Sequence, residues 1–195
     1  MDDAVNLFFT PYREGLPLLL FLWLTEIGTG ATGAAVVLAV SAVLWSVGRG
    51  RVAALLCLCF VGAEATTWAL KFAVARARPD FLDGITAASP SFPSAHATVA
   101  GSVYGFVALL AASDAGRWRG AVLGVGAAIV LLVGFSRVFL SLHYFTDVLA
   151  GYAVAGVWLL LAWRLARPYV PNPATASAHL PTRPFGPPSP PGEGR

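Results

Sequence analysis

The polar chemistry of this 195-residue chain rests on few side chains. There is one lysine, Lys71, beside twelve arginines, and there are three histidines: His96, His143 and His179. The chemistry-bearing residues are Lys71, Arg78, Ser94, Ala95, His96, Arg137, His143 and Asp147. Three fixed cations, Lys71, Arg78 and Arg137, suit the oxygens of a phosphate and the spread charge of its transition state. The planar fork of arginine matches phosphate geometry. The turn Pro93–Ser94–Ala95 precedes a helix, so its N–H groups and the helix dipole point at an anion, and Ser94 adds a hydroxyl donor. His143 and Asp147 are four apart, hence on one helical face. A carboxylate that accepts from one ring nitrogen sets the tautomer and leaves the other nitrogen as a nucleophile. His96 remains to protonate a leaving oxygen. The chemistry is phosphoryl transfer. Cations interleave the candidate ligands and would repel a metal, so the reading includes no metal and no cofactor.

The elements that must position these residues are membrane helices. Apolar residues make up 57% of the chain and charged residues only 12%, against roughly 45–50% and 25% in soluble proteins. A soluble chain of this size could not bury so much apolar surface, which excludes a disordered chain, a disulfide-stapled domain and an ordinary soluble enzyme. Five apolar runs predict transmembrane helices, at about 32–47, 52–74, 97–112, 120–135 and 145–165. Glycines and alanines within them suit close helix packing in lipid. The expected fold is an all-α integral membrane bundle, with 31–167 as its domain. Leu16–Leu24 is apolar but short, and predicts an interfacial or re-entrant helix within an N-terminal segment 1–30. Residues 168–195 hold nine prolines and predict a disordered tail in which His179 is inert. Cys57 and Cys59 read as small buried hydrophobes.

Arginine placement orients the bundle. Arg49, Arg51, Arg117, Arg119, Arg164 and Arg167 fall at one end, which the positive-inside rule makes cytoplasmic together with the C-terminus. The net charge of +3 is therefore read as topology and not as nucleic-acid binding. Lys71, Arg78, Ser94, His96, Arg137, His143 and Asp147 all gather at the opposite, extracytoplasmic rim, from four helix ends. Charges near hydrocarbon are costly, so this convergence is a functional signal. Arg76, whose spacing is not special, reads equally well as an interfacial anchor. Glu64, about 10 Å deeper than Lys71 on the same face, reads as a buried acid bonded to a neighbouring helix, with a cavity or tunnel role as the alternative.

The strings Lys71-x6-Arg78-Pro79, Pro93-Ser94-Ala95-His96 and Ser136-Arg137-x5-His143-x3-Asp147 resemble the three signature motifs of the type 2 phosphatidic acid phosphatase superfamily. The resemblance implies a metal-independent phosphatase of lipid phosphates or diphosphates in a bacterial-type plasma membrane. Undecaprenyl diphosphate, phosphatidylglycerophosphate and phosphatidic acid are the candidate substrates. It implies that Lys71, Arg78 and Arg137 hold phosphate, that Ser94 and the adjacent backbone at Ala95 complete the cradle, that His143 is phosphorylated, that Asp147 orients it and that His96 is the general acid. A phosphotransferase of the same superfamily, or a non-enzymatic lipid-phosphate binder or transporter, is the alternative. Two departures stand out: Ala95 replaces the usual glycine, and members of this kind commonly carry six spans.

Overall fold

The computed structural model describes residues 2–79 and 89–170, and every regular element among them is helical. The elements are α1 (Asp2–Phe9), α2 (Gly15–Glu26), α3 (Gly30–Ser46), α4 (Gly50–Val74), α5 (Ala95–Val99), α6 (Gly105–Asp114), α7 (Arg119–Phe139) and α8 (Phe145–Ala166). A π-helical turn, Ala100–Tyr104, joins α5 to α6, so that Ala95–Asp114 is one apolar helix. Among the described residues four helices are long and apolar enough to cross a membrane: Gly50–Val74, Ala95–Asp114, Gly116–Phe139 and Phe145–Tyr169.

In the N-terminal third the expected short helix and first span are both present, as α2 and α3. α3 alone has 17 residues, but α2 and α3 together form a pair bent by 48° that makes a fifth candidate span. α2 lies along α7, with Phe21 against Phe135 and Phe139. The short apolar run 16–24 is thus the first arm of a bent unit. The bend falls at 27–29, where the Thr29 hydroxyl accepts from the Thr32 N–H and starts α3 afresh. The expected tail lies outside the described residues beyond 170, as does His179.

α4 and α8 form the central pair; α3 packs on α4, α5 on α8, and α6 and α2 on α7. The core joins Leu56 and Cys59 of α4, Val99, Val103, Phe106, Leu110, and Ala162 and Ala166 of α8. Lipid offers no hydrophobic drive between helices, so packing rests on close approach and interhelical hydrogen bonds. The Thr67 hydroxyl donates to Thr98 across α4 and α5 at 3.0 Å. A Cβ on Gly151 would sit 2.6 Å from the Ser94 carbonyl oxygen and 2.9 Å from the Ala97 Cβ. Glycine there lets the first turns of α8 press against the start of α5. Outward, the bundle shows Trp23, Leu38, Val61, Phe72, Leu131 and Val157, an apolar surface suited to acyl chains.

One end of the bundle collects the ends of α4 and α7, the starts of α5 and α8, and α1. α4 stops at Ala75, whose left-handed backbone (φ 49°) closes the helix. The α7–α8 turn passes through Ser141 at φ 52°.

Candidate active site

His143 lies in this end, 1% exposed, in the turn just before α8. Its Nδ1 faces Asp147 Oδ2 at 3.5 Å and Ser91 Oγ at 3.4 Å. Its Nε2 faces Arg78 Nη1 at 3.2 Å. A guanidinium has only protons to offer, so the Nε2 it faces is the bare lone pair and the ring proton sits on Nδ1. Burial, with Arg137, Arg78 and Lys71 nearby, pushes the imidazole down to about 3 against the pull of Asp147. His143 is therefore neutral at physiological pH. The pairing with Asp147 differs from the expected helical face: Tyr144 is the N-cap of α8, and the Asp147 carboxylate folds back from the first turn to accept the Tyr144 N–H at 2.9 Å.

The segment Ser89–Pro90–Ser91 threads between the cations and the histidine. The Pro90 carbonyl accepts from Lys71 Nζ at 2.6 Å. The Ser89 carbonyl and hydroxyl accept from Arg78 at 2.9 and 3.2 Å, while Arg78 Nη1 also donates to the Leu142 carbonyl at 2.6 Å. The Ser91 hydroxyl donates to Asp147 Oδ2. Lys71 and Asp147 are fully buried, and Arg78 is half-buried under burial that lowers its basicity.

Arg137 enters from the last turn of α7, 6% exposed, and donates from Nη1 to Thr25 Oγ1 of α2 at 2.8 Å. Its Nε is buried with no hydrogen-bond partner among the described residues. A buried donor on a cation that is left without an acceptor costs roughly 1–3 kcal/mol or more unless an anion meets it. The donor set fits the oxygens of a phosphate group.

His96, half-buried in the first turn of α5, packs beside Gly28 at the α2–α3 bend. The charges of Arg137, Arg78 and Lys71 act on it as they act on His143. Ser94 caps α5: its hydroxyl accepts from the Ala97 N–H at 3.5 Å, and its own N–H donates to the Asp147 carbonyl at 3.0 Å. The amide is thus engaged within the protein, whereas the hydroxyl, an acceptor here, keeps its own proton to donate. Ala95 opens α5 and is not among the described residues with positive φ, which apart from glycines are Ala75 and Ser141. The departure from glycine there costs no backbone strain.

Three residues escaped the sequence reading as site members. Ser91 opens the string SFPSAH, but no spacing rule distinguishes it from a loop serine. Arg76, equally readable as an anchor, holds Asp147 Oδ1 at 2.8 Å and stacks over the Tyr144 ring at 4.1 Å. Thr25 belongs to an apolar run with no polar pattern. Glu64 faces Gly30 at the start of α3, with its Oε1 buried and without a hydrogen-bond partner among the described residues.

A family model described as the PAP2 superfamily matches residues 52–170. Phosphatidylglycerophosphatase B of Bacillus subtilis (strain 168) is 36% identical over 88 residues, 44% of this chain and 43% of that protein. The lipid A 1-phosphatase of Rhizobium etli is 38% identical over 102 residues, covering 47% of this chain and 40% of that one. The chain thus spans well under half the length of these curated relatives. The crystal structure of a transmembrane PAP2 type phosphatidylglycerolphosphate phosphatase from Bacillus subtilis superposes with a TM-score of 0.80 at 25% identity, over 86% of this chain and 85% of that one. With the family model covering more than half of its residues, and all three motif strings converging on one buried histidine, this chain belongs to the PAP2 superfamily.

Proposed function

We propose that this chain is an integral membrane phosphatase that hydrolyses a lipid phosphate or diphosphate through a phosphohistidine on His143. The observation that carries the reading is the His143 ring itself, with Asp147 and Ser91 on Nδ1 and a guanidinium opposite Nε2. A phosphoryl group arriving at Nε2 would meet Arg78 with its oxygens, and the unpartnered Arg137 Nε and the Lys71 ammonium add two more cationic donors. The Nε2 lone pair attacks phosphorus, the P–O bond to the lipid breaks, and His96 gives its proton to the departing oxygen. A phosphate dianion between the cations offsets their charge and lets His96 carry that proton. Asp147 balances the positive charge of the phosphorylated ring. Water then attacks phosphorus, His96 takes a proton back, and the P–N bond breaks to release inorganic phosphate and neutral His143.

The relatives named for phosphatidylglycerophosphate and lipid A 1-phosphate support a lipid-borne phosphate as substrate class. The apolar outer surface would deliver it laterally. The arginine-rich end, with Arg49, Arg51, Arg117 and Arg119, supports a cytoplasmic placement for that end and an extracytoplasmic site.

The test is phosphate release from a panel of lipid phosphates in detergent, with EDTA present. Activity survives EDTA and is blocked by vanadate, which mimics the five-coordinate state. His143→Ala abolishes turnover and the covalent phosphoenzyme. His96→Ala loses on the order of 10²–10⁴-fold on lipid substrates, yet still forms phosphoenzyme from p-nitrophenyl phosphate, whose leaving group needs no proton. Loss of activity with EDTA that magnesium restores, or a phosphoenzyme persisting in His143→Ala, overturns the mechanism.

A further inference from the structure

α1 reaches the same end of the bundle from outside the family match, which begins at residue 52. It is held there by several contacts. Asn6 is fully buried, and its Oδ1 accepts from the Ser141 hydroxyl at 3.4 Å. Arg13 donates to the Phe139 carbonyl from Nε and to the Asn6 carbonyl from Nη2 at 2.8 Å. Phe9 packs edge-on against Phe135. This docking brings Asp2 to the start of α8, where its carboxylate accepts from the Thr146 hydroxyl at 2.6 Å and pairs with Arg76 Nη2 at 3.0 Å. The other arm of Arg76, Nη1, donates to Thr146 Oγ1 and to Asp147 Oδ1, each at 2.8 Å.

The result is a row of alternating charge, Asp2, Arg76 and Asp147, that ends on the neutral His143 ring. We infer that Asp2 is a positioning residue for the reaction, acting through Arg76 to keep the Asp147 carboxylate free to balance charge on His143. The argument is electrostatic and rests on the phosphohistidine reading above. A phosphorylated imidazole with a protonated Nδ1 is a cation, and its formation is favoured by whatever net negative charge lies beside it. Asp147 alone faces the full charge of Arg76, and that pair sums to zero. Asp2 takes up one arm of the guanidinium, and the three groups together sum to minus one. Burial opposes ionisation of Asp2, but the bonds from Thr146 and Arg76 outweigh it and hold its carboxyl below the usual range. Asp2 is therefore charged wherever the enzyme works.

Asp2→Asn keeps the shape and the bond from Thr146 but removes the charge. The remaining anchors of α1 (Asn6, Phe9, Arg13) stay, so the variant folds; an unchanged gel-filtration profile and Tm check this. The measurement is the single-turnover rate of phosphoenzyme formation, in wild type, Asp2→Asn, Arg76→Gln and the double variant. Asp2→Asn slows phosphoenzyme formation about tenfold with KM within about twofold, as expected for a charge felt only in the transition state. Asp2→Glu restores most of the rate. In the Arg76→Gln background Asp2→Asn has no further effect, because the intermediary is gone. A tether that merely fixes α1 would cost the same in both backgrounds, and that additive result overturns the inference, as does an unchanged rate in Asp2→Asn. Wild-type protein that turns over lipid phosphate with no acid-labile phosphoenzyme overturns the phosphohistidine reading and this inference with it; wild-type protein that forms one while Asp2→Asn matches it overturns the inference alone.

Discussion

A buried imidazole beside three cations is poised to stay neutral, and His143 is placed that way. With its pKa pushed down to about 3, the ring carries no second proton at any working pH. Its free value is near 6.5, so the fold favours the neutral form. The corresponding stability is fully present above about pH 6.5 and is lost as pH falls from there toward 3. NMR of the labelled ring in detergent checks this: His143 shows a neutral imidazole with the proton on Nδ1 throughout pH 8 to 5, and a titration near 6.5 would contradict the burial described. Ser91 extends the same logic. Its hydroxyl donates to Asp147 Oδ2 and lies 3.4 Å from His143 Nδ1. Ser91→Ala leaves the ring neutral over that range but lowers kcat by roughly tenfold, since a hydrogen bond to a charged group is worth about 1.5–3 kcal/mol and water replaces part of it.

Helices bring these side chains together only because two of them meet without side chains between them. Gly151, in the second turn of α8, faces the Ser94 carbonyl at the start of α5, where a Cβ would intrude to 2.6 Å. That contact keeps the Ser94 N–H on the Asp147 carbonyl at 3.0 Å and so joins the segment 89–94 to the residue that pairs with His143. Gly151→Ala pushes α5 from α8, lowers Tm and costs on the order of 10²-fold in kcat, because displacements of about 1 Å are enough for that. Gly156, one and a half turns further along the same helix, has nothing within 4 Å of its would-be Cβ. Gly156→Ala therefore keeps activity and, by favouring helix, holds or raises Tm. Thermal melts and lipid-phosphate turnover of the two variants side by side measure the difference.

Across the whole molecule, the site end and the arginine-rich end lie at opposite ends of the bundle, and the proposed orientation turns that into sidedness. Ala77, exposed just past α4, belongs to the site end, and Val47, 62% exposed in the α3–α4 turn, belongs to the other. The native Cys59 is buried within α4. In intact cells Ala77→Cys reacts with an impermeant thiol reagent, whereas Val47→Cys reacts only after lysis. The reverse pattern would place the substrate headgroup in the cytoplasm.

Membrane character, the four long helices and the end at which the chemistry gathers all follow from composition, run length and the placement of rare charges. In a chain with 12% charged residues, each such placement is expensive and hence informative. The predicted runs from 52 onward match α4 and the helices 95–114, 119–139 and 145–166 to within a few residues. Lys71, Arg78 and Arg137 read as a cation set from sequence because three fixed charges at one rim are costly, and the fold brings all three near His143. What required tertiary structure was everything carried by contacts remote in sequence. The 48° bend between α2 and α3 and the packing of α2 along α7 are tertiary features that periodicity does not encode. Ser91 and Thr25 are ordinary polar residues until the fold sets them on Asp147 and Arg137, over 56 and 112 positions. Arg76 is ambiguous by sequence because its meaning lies in its two partners, Asp2 and Asp147, one 74 positions before it and the other 71 after. A local pattern records which groups the chain can afford to hold in a membrane; only the folded bundle decides which of them touch.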